Sequence, residues 1–228
     1  MQVGWLFFHF SPLHFTVYLF ILLAIAELSI PVFAEAASRT PWHAHHIAER
    51  YSLLTIIVLG ESIVGCSIAM TDALTNQRFS TELIFLMVGG LMMMFTMWWS
   101  YFDTSIAERL NSRKMAFTWG YGHFFVFISI AAIGAGLAAA VDVVSHEVLI
   151  SSEKESYFVA ISLVIYTTSL YLLHELHHQS GFRKLLYPLT VVIVLCIPLF
   201  ITPAGYAIFA MAVVYALRLM FTKCYLAR

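Results

Sequence analysis

Charge is what this chain has least of. Charged residues make up 11% of its 228 positions, where a soluble domain carries about 25%. A hydrophobic share of 61% fills the gap. An ordinary water-soluble domain is thereby excluded, and an integral membrane protein is indicated. The 12 Lys and Arg are scattered, so no basic stripe exists to hold nucleic acid. Cysteine is scarce as well. Cys66, Cys196 and Cys224 stand far apart with no CxxC, which removes a disulfide framework and a cysteine zinc site and leaves small packing residues. Gly-rich nucleotide loops and the Gly-x-Ser-x-Gly elbow are missing. The last hydrophobic segment holds no lysine, so it cannot form a retinal-type Schiff base. No repeat, low-complexity tract or linker divides the sequence, and residues 1–228 read as a single polytopic membrane domain.

Long apolar runs are abundant. A spanning helix needs about 20 mostly apolar residues. Seven segments meet that measure: Pro12–Ala34, Ile47–Met70, Leu83–Phe102, Ala116–Val141, Tyr157–Leu173, Leu185–Ile201 and Ala204–Phe221. The first lacks the basic residues of a secretory leader and reads as a retained helix. Pro188 and Pro198 predict kinks in the sixth. Loop charge gives the orientation, because cytoplasmic loops are rich in Lys and Arg. Ten of the 12 cations fall on one side, leaving only Arg78 and Lys154 on the other. The expectation is an all-α integral membrane protein of about seven transmembrane helices. Its N-terminus lies outside and its C-terminus in the cytoplasm.

Several ionisable residues fall inside these runs, where they are costly and mark either a function or a buried pair. The stretch HIAERYSLLTIIVLGE, from His46 to Glu61, is the densest. Arg50, Leu54, Ile57 and Glu61 step by four, three and four, so they share a helix face. Glu61 then lies roughly 16 Å deeper than Arg50. Glu27 sits mid-helix in the first span, with a cation such as Arg50, a hydroxyl or an imidazole as the expected partner. His46, Glu49, Asp103 and His123 join the cytoplasmic layer, where imidazoles can exchange protons or bind metal. His174-Glu175-Leu176-His177-His178 fits H-E-x-x-H, in which His174 and His178 would hold zinc and Glu175 act as base. A histidine pair stabilised at a helix C-terminus, where cations are favoured, is the preferred explanation of the motif. In the fourth run, Ala132, Gly136 and Ala140 form a small-xxx-small series for close helix packing.

HIAERYSLLTIIVLGES, the Glu27–Pro31 stretch and WWSYFD from Trp98 to Asp103 resemble the bacterial low-temperature-requirement A (LtrA) family. The run TWGYGHFFVFISIAAIGAGL, Thr118–Leu137, also matches in character. The resemblance spans most of residues 20–140, and the later third matches only as hydrophobic helices. It implies a multi-pass inner-membrane protein, in a family whose longer members carry further N-terminal helices.

The leading functional expectation is a transporter or channel-like protein for protons or small ions. Its pathway would use Glu27, His46, Glu49, Arg50, Glu61, Asp103 and His123. The alternative is a membrane-embedded metal-binding protein or metal-dependent enzyme using the His/Glu layer; enzymatic activity is the weaker expectation. No cofactor is expected, and zinc is the metal that His174, Glu175 and His178 would take. The partners expected are the lipid bilayer, a small ion or proton and a second copy of the chain, with no nucleic acid.

Overall fold

The computed structural model describes residues 2–37, 43–76, 79–103, 110, 112–145, 151–175 and 183–224. Every regular element among them is a helix. They fall into two compact units, 1–43 and 44–228.

The first unit is a helical hairpin of α1 (Gln2–Phe8) and α2 (Leu13–Ala37). Phe10 and Ser11 close α1 by donating to Phe7 and Phe8 carbonyls at 3.0 and 3.1 Å. Trp5 and Phe8 then pack on Phe20, with ring centroids 5.6 and 6.1 Å away. Helix α1 precedes the first of the expected spans, which begins at Pro12. Pro31 lies within α2 without ending it.

The second unit contains α3 (Ala44–Thr75), α4 (Thr81–Phe102), α5 (Arg113–Val144), α6 (Ser152–Leu170), α7 (Arg183–Phe200) and α8 (Ala204–Cys224). A π-helical turn, Tyr171–Glu175, continues α6. Serines start two of these helices: the Ser80 and Ser112 hydroxyls accept from the Leu83 and Met115 N–H at 3.1 and 3.3 Å, as good N-caps do. Within the helices, hydroxyls donate back to carbonyls four residues earlier, as Thr55 does to Tyr51 at 2.9 Å. That is how a span satisfies polar groups without water.

Helix α5 is central. Ser62 of α3 reaches the Ile130 carbonyl of α5 at 3.3 Å, and a Cβ on Gly134 would come within 2.5 Å of Ser62. On another side of α5, a Cβ on Gly136 would come within 2.9 Å of Phe158 and Val159 in α6. The small-residue series therefore packs helices, as its spacing suggested. Helix α4 lies against α8, with Phe85 against Tyr206 and Phe209. Helix α7 lies against α6 and α8.

Among the described residues six helices are long and apolar enough to cross a membrane, in place of the seven expected. The shortfall is α7, whose apolar part is Leu185–Phe200. At 1.5 Å per residue that part is about 24 Å long, below the roughly 30 Å of a hydrocarbon core. Both Pro188 and Pro198 lie inside it. Helix α7 nevertheless runs between the two ends of the bundle. Tyr187 stacks on Tyr171 at 4.2 Å, and Thr202, beyond its other end, accepts from Ser152 at 2.7 Å.

Candidate functional site

Helix α3 has two dissimilar faces. Thr55, Leu59, Ser62 and Ala73 are buried. Arg50, Leu54, Ile57 and Glu61 are all exposed. The four residues that the sequence spacing aligned share a face, and it points away from α5. His46 and Glu49, 3.8 Å apart, are exposed at the start of the same helix.

The described polar partners of Glu27 come from α1. Its carboxylate accepts from Trp5 Nε1 at 2.5 Å and from Gln2 Nε2 at 3.4 Å. The expected classes of partner were a cation, a hydroxyl or an imidazole; an indole and an amide fill those places. Asp103 caps α4 and forms an ion pair with Lys223 of α8.

His123 behaves differently from these surface groups: its exposure is 0%. Its Nδ1 lies 2.7 Å from the Trp119 carbonyl one turn back in α5. A carbonyl only accepts, so Nδ1 carries the proton. Its Nε2 lies 3.0 Å from the Tyr101 hydroxyl of α4. In the neutral ring that nitrogen is the acceptor, and Tyr101 donates. Tyr51 of α3 stands edge-on at 5.0 Å, and Trp119 lies at 3.9 Å. Gly120 admits the Tyr51 hydroxyl, since a Cβ there would stand 2.8 Å from it. His174, 2% exposed, completes the cluster with its ring 5.7 Å from His123 and 5.2 Å from Tyr101. It arrives on the π turn, an irregularity frequent at functional sites.

A second network backs onto the first. Ser100, beside Tyr101 in α4, lies 2.7 Å from the Tyr215 hydroxyl of α8 and 3.4 Å from that of Tyr166 in α6. Tyr166 donates to the Met97 carbonyl at 2.7 Å. One turn beyond Tyr215, Arg218 is only 5% exposed. Glu155, in the first turn of α6, is likewise buried, at 6% exposure. Tyr51, Tyr101, Trp119, Ser100, Tyr166 and Tyr215 were not singled out as site residues. Their helical spacing, Tyr51 with Thr55 and Trp119 with His123, places each pair on one face, but nothing local shows which face turns inward.

For the zinc expectation, the Glu175 side chain and His178 lie outside the described residues. His174 belongs to the aromatic cluster. Among the described residues no three His, Cys, Asp or Glu side chains converge as metal ligands would.

The family model described as bacterial low temperature requirement A protein (LtrA) matches residues 1–220. The match extends well past residue 140, so the later helices belong to the family pattern as the earlier ones do. No curated protein and no solved structure matches the chain.

Proposed function

The chain belongs to the bacterial low temperature requirement A family, and from that premise we propose that it moves protons or small ions across the bacterial inner membrane. The observation that carries the reading is His123. A fully buried imidazole in a spanning helix is hydrogen-bonded through both nitrogens and faces two tyrosines and a second imidazole. Such groups are costly in a membrane interior unless they serve a pathway or a lock. In this reading the His123 cluster is the cytoplasmic half of the pathway. His46, Glu49 and Asp103 form its mouth, Glu61 is an intramembrane carboxylate of the path, and Arg50, on the same face of α3, is its counter-charge. Helix α7 is the seventh span, short enough to thin the bilayer locally. The side holding ten of the 12 cations is the cytoplasmic one.

The test is flux in proteoliposomes of the full chain. His123→Gln keeps a polar side chain of similar reach and is expected to lose about 100-fold in proton or ion flux, the scale of a lost acid–base group. Full flux in that variant would sink the reading, and full flux in Glu61→Gln would remove Glu61 from the path. A metal centre is the second reading, favoured by the proximity of the His123 and His174 rings. It is the weaker one, because both His123 nitrogens already have partners. Stoichiometric metal in the purified protein, lost in His174→Ala, would reverse that order.

A further inference from the structure

We propose that a crevice between α3, α4 and α5 holds an acyl chain of a bilayer phospholipid. The crevice is separate from the His123 cluster, and its role does not rest on the transport reading. Leu137, in its floor, lies about four turns along α5 from His123, or roughly 21 Å.

The helices part here because they are drawn to different neighbours. Helix α3 is tied to α5, where Ser62 reaches the Ile130 carbonyl and Cys66 that of Gly134, at 3.3 and 3.6 Å. Helix α4 is pressed on α8: a Cβ on Gly89 would come within 2.6 Å of the Phe209 backbone. Between them a space of about 270 Å³ is left open. Leu137 and Val141 of α5 and Leu86 and Met94 of α4 form its buried floor. Ile63 and Ser67 of α3 form one lip of its mouth and Val88 and Leu91 of α4 the other, all exposed.

The lining selects hydrocarbon. Cys66 and Ser67 supply its polar side-chain atoms. Each already gives its proton to a carbonyl, Cys66 to Gly134 and Ser67 to Ile63 at 2.8 Å. The other lining side chains are hydrocarbon or thioether. A water molecule needs several polar partners, so the crevice stays dry, and an ion finds still less to hold it. Left empty, its walls would forfeit their dispersion contacts. An apolar cavity of about 150 Å³ already holds benzene, and this one accommodates a longer segment. Met70, Met87 and Met94 are unbranched and adapt to a bending chain. The source of that chain follows from where the mouth opens. Val64 and Ile68 lie beyond one lip and Ile84 and Phe95 beyond the other, all exposed on spanning helices. The mouth is therefore continuous with the surface that faces lipid. Within a bilayer an apolar face gains nothing from a second protein merely by being apolar, so the neighbouring acyl chains fill it.

The experiment uses the full chain in nanodiscs whose phospholipid carries a diazirine at the middle of one acyl chain. After illumination, labelled residues are mapped by mass spectrometry. Lipid-facing Ile68 and Phe95 should be labelled, as any annular contact would be. The decisive labels are those on the floor residues Leu86, Met94 and Leu137, which a chain reaches only by entering the crevice. Ser67→Phe combined with Val88→Phe narrows the mouth from both lips. Both positions are exposed, so the melt should stay unchanged. That variant should lose the floor labels and keep those on Ile68 and Phe95. An unlabelled floor in the unmodified chain, or floor labels that survive in the double variant, would overturn the proposal. So would floor labels displaced by an excess of a polyprenyl quinone but not by unlabelled phospholipid, which would give the crevice to an isoprenoid tail. Links from the lips to a second copy in place of floor labels would give it to the protein's own partner.

Discussion

The two ends of the second unit are both polar, but their hydrogen bonds are of different kinds. At the Ser152 end, side chains bind backbone. Ser152 Oγ donates to the Thr202 carbonyl at 2.7 Å and accepts from the Ala204 N–H at 2.6 Å. Glu82 accepts from the Gly205 N–H at 3.0 Å. At the His123 end, bonds to backbone are joined by bonds between side chains: Tyr101 with His123, and Ser100 with Tyr215. A backbone carbonyl or N–H has one fixed polarity, whereas hydroxyls and imidazoles can exchange donor and acceptor roles. On the proposed reading, the first end holds helices in place and the second changes state without moving them. Substitutions at the first end should cost stability alone, and those at the second should change flux as well.

The largest expected effect is at the fixed end. Helix α8 begins so close to α4 that a Cβ on Gly205 would collide with the Glu82 carbonyl oxygen. That oxygen is backbone and cannot turn aside. Gly205→Val should therefore cost about 3 kcal/mol, the upper part of the usual overpacking range, and be read as an earlier thermal melt by tryptophan fluorescence in detergent. Protein that does fold should carry normal flux per molecule. A normal melt would mean that α8 can start farther from α4, and the contrast between the ends would weaken.

Ser100→Ala comes next. It removes a hydroxyl that bridges α4 to α8, at a cost of about 1–2 kcal/mol for a buried hydrogen bond with a neutral partner. Ser100 lies in the exchangeable end, so flux should fall together with the melting temperature. A stability loss with unchanged flux would confine the exchangeable region to the Tyr101–His123 side of α4.

The division into ends shows how far the sequence could be read. Helix positions were legible because bilayer crossing demands long apolar runs, and that demand is independent of partners. Gly136 and Ala140 were legible as a packing seam, because only small residues let helices approach. Facing was not. In α4 both sides are apolar: Met93 and Met97 are buried while Phe95 and Trp98 are exposed. Lipid and core reward the same side chains, so periodicity carries no sign. The Tyr101–His123 bond joins residues 22 apart in sequence through packing alone. For α3 the charged face was correctly grouped, and it is an outer face of its unit. The burial of Glu155 and Arg218 was not legible either, because burial of a charge near a helix end depends on which neighbours cover it.

The smallest effect isolates charge from geometry at the fixed end. Glu82 contributes twice: its Oε1 satisfies the Gly205 N–H, one of the donors that the first turn of α8 leaves open, and its negative charge faces the positive end of that helix. Glu82→Gln keeps a carbonyl oxygen at the same place and removes only the charge. The expected loss is about 0.5 kcal/mol, the usual worth of an anion at a helix start. Glu82→Ala removes both contributions and should cost about 1 kcal/mol, like a lost N-cap. Salt separates them. Raising ionic strength should lower the melting temperature of the unmodified chain toward that of Glu82→Gln, because screening acts on the charge. The gap between Glu82→Gln and Glu82→Ala should stay constant, because a hydrogen bond between neutral groups is not screened. If both gaps closed together, Glu82 would act mainly through its charge, and the fixed end would owe its rigidity to the Ser152 bridge.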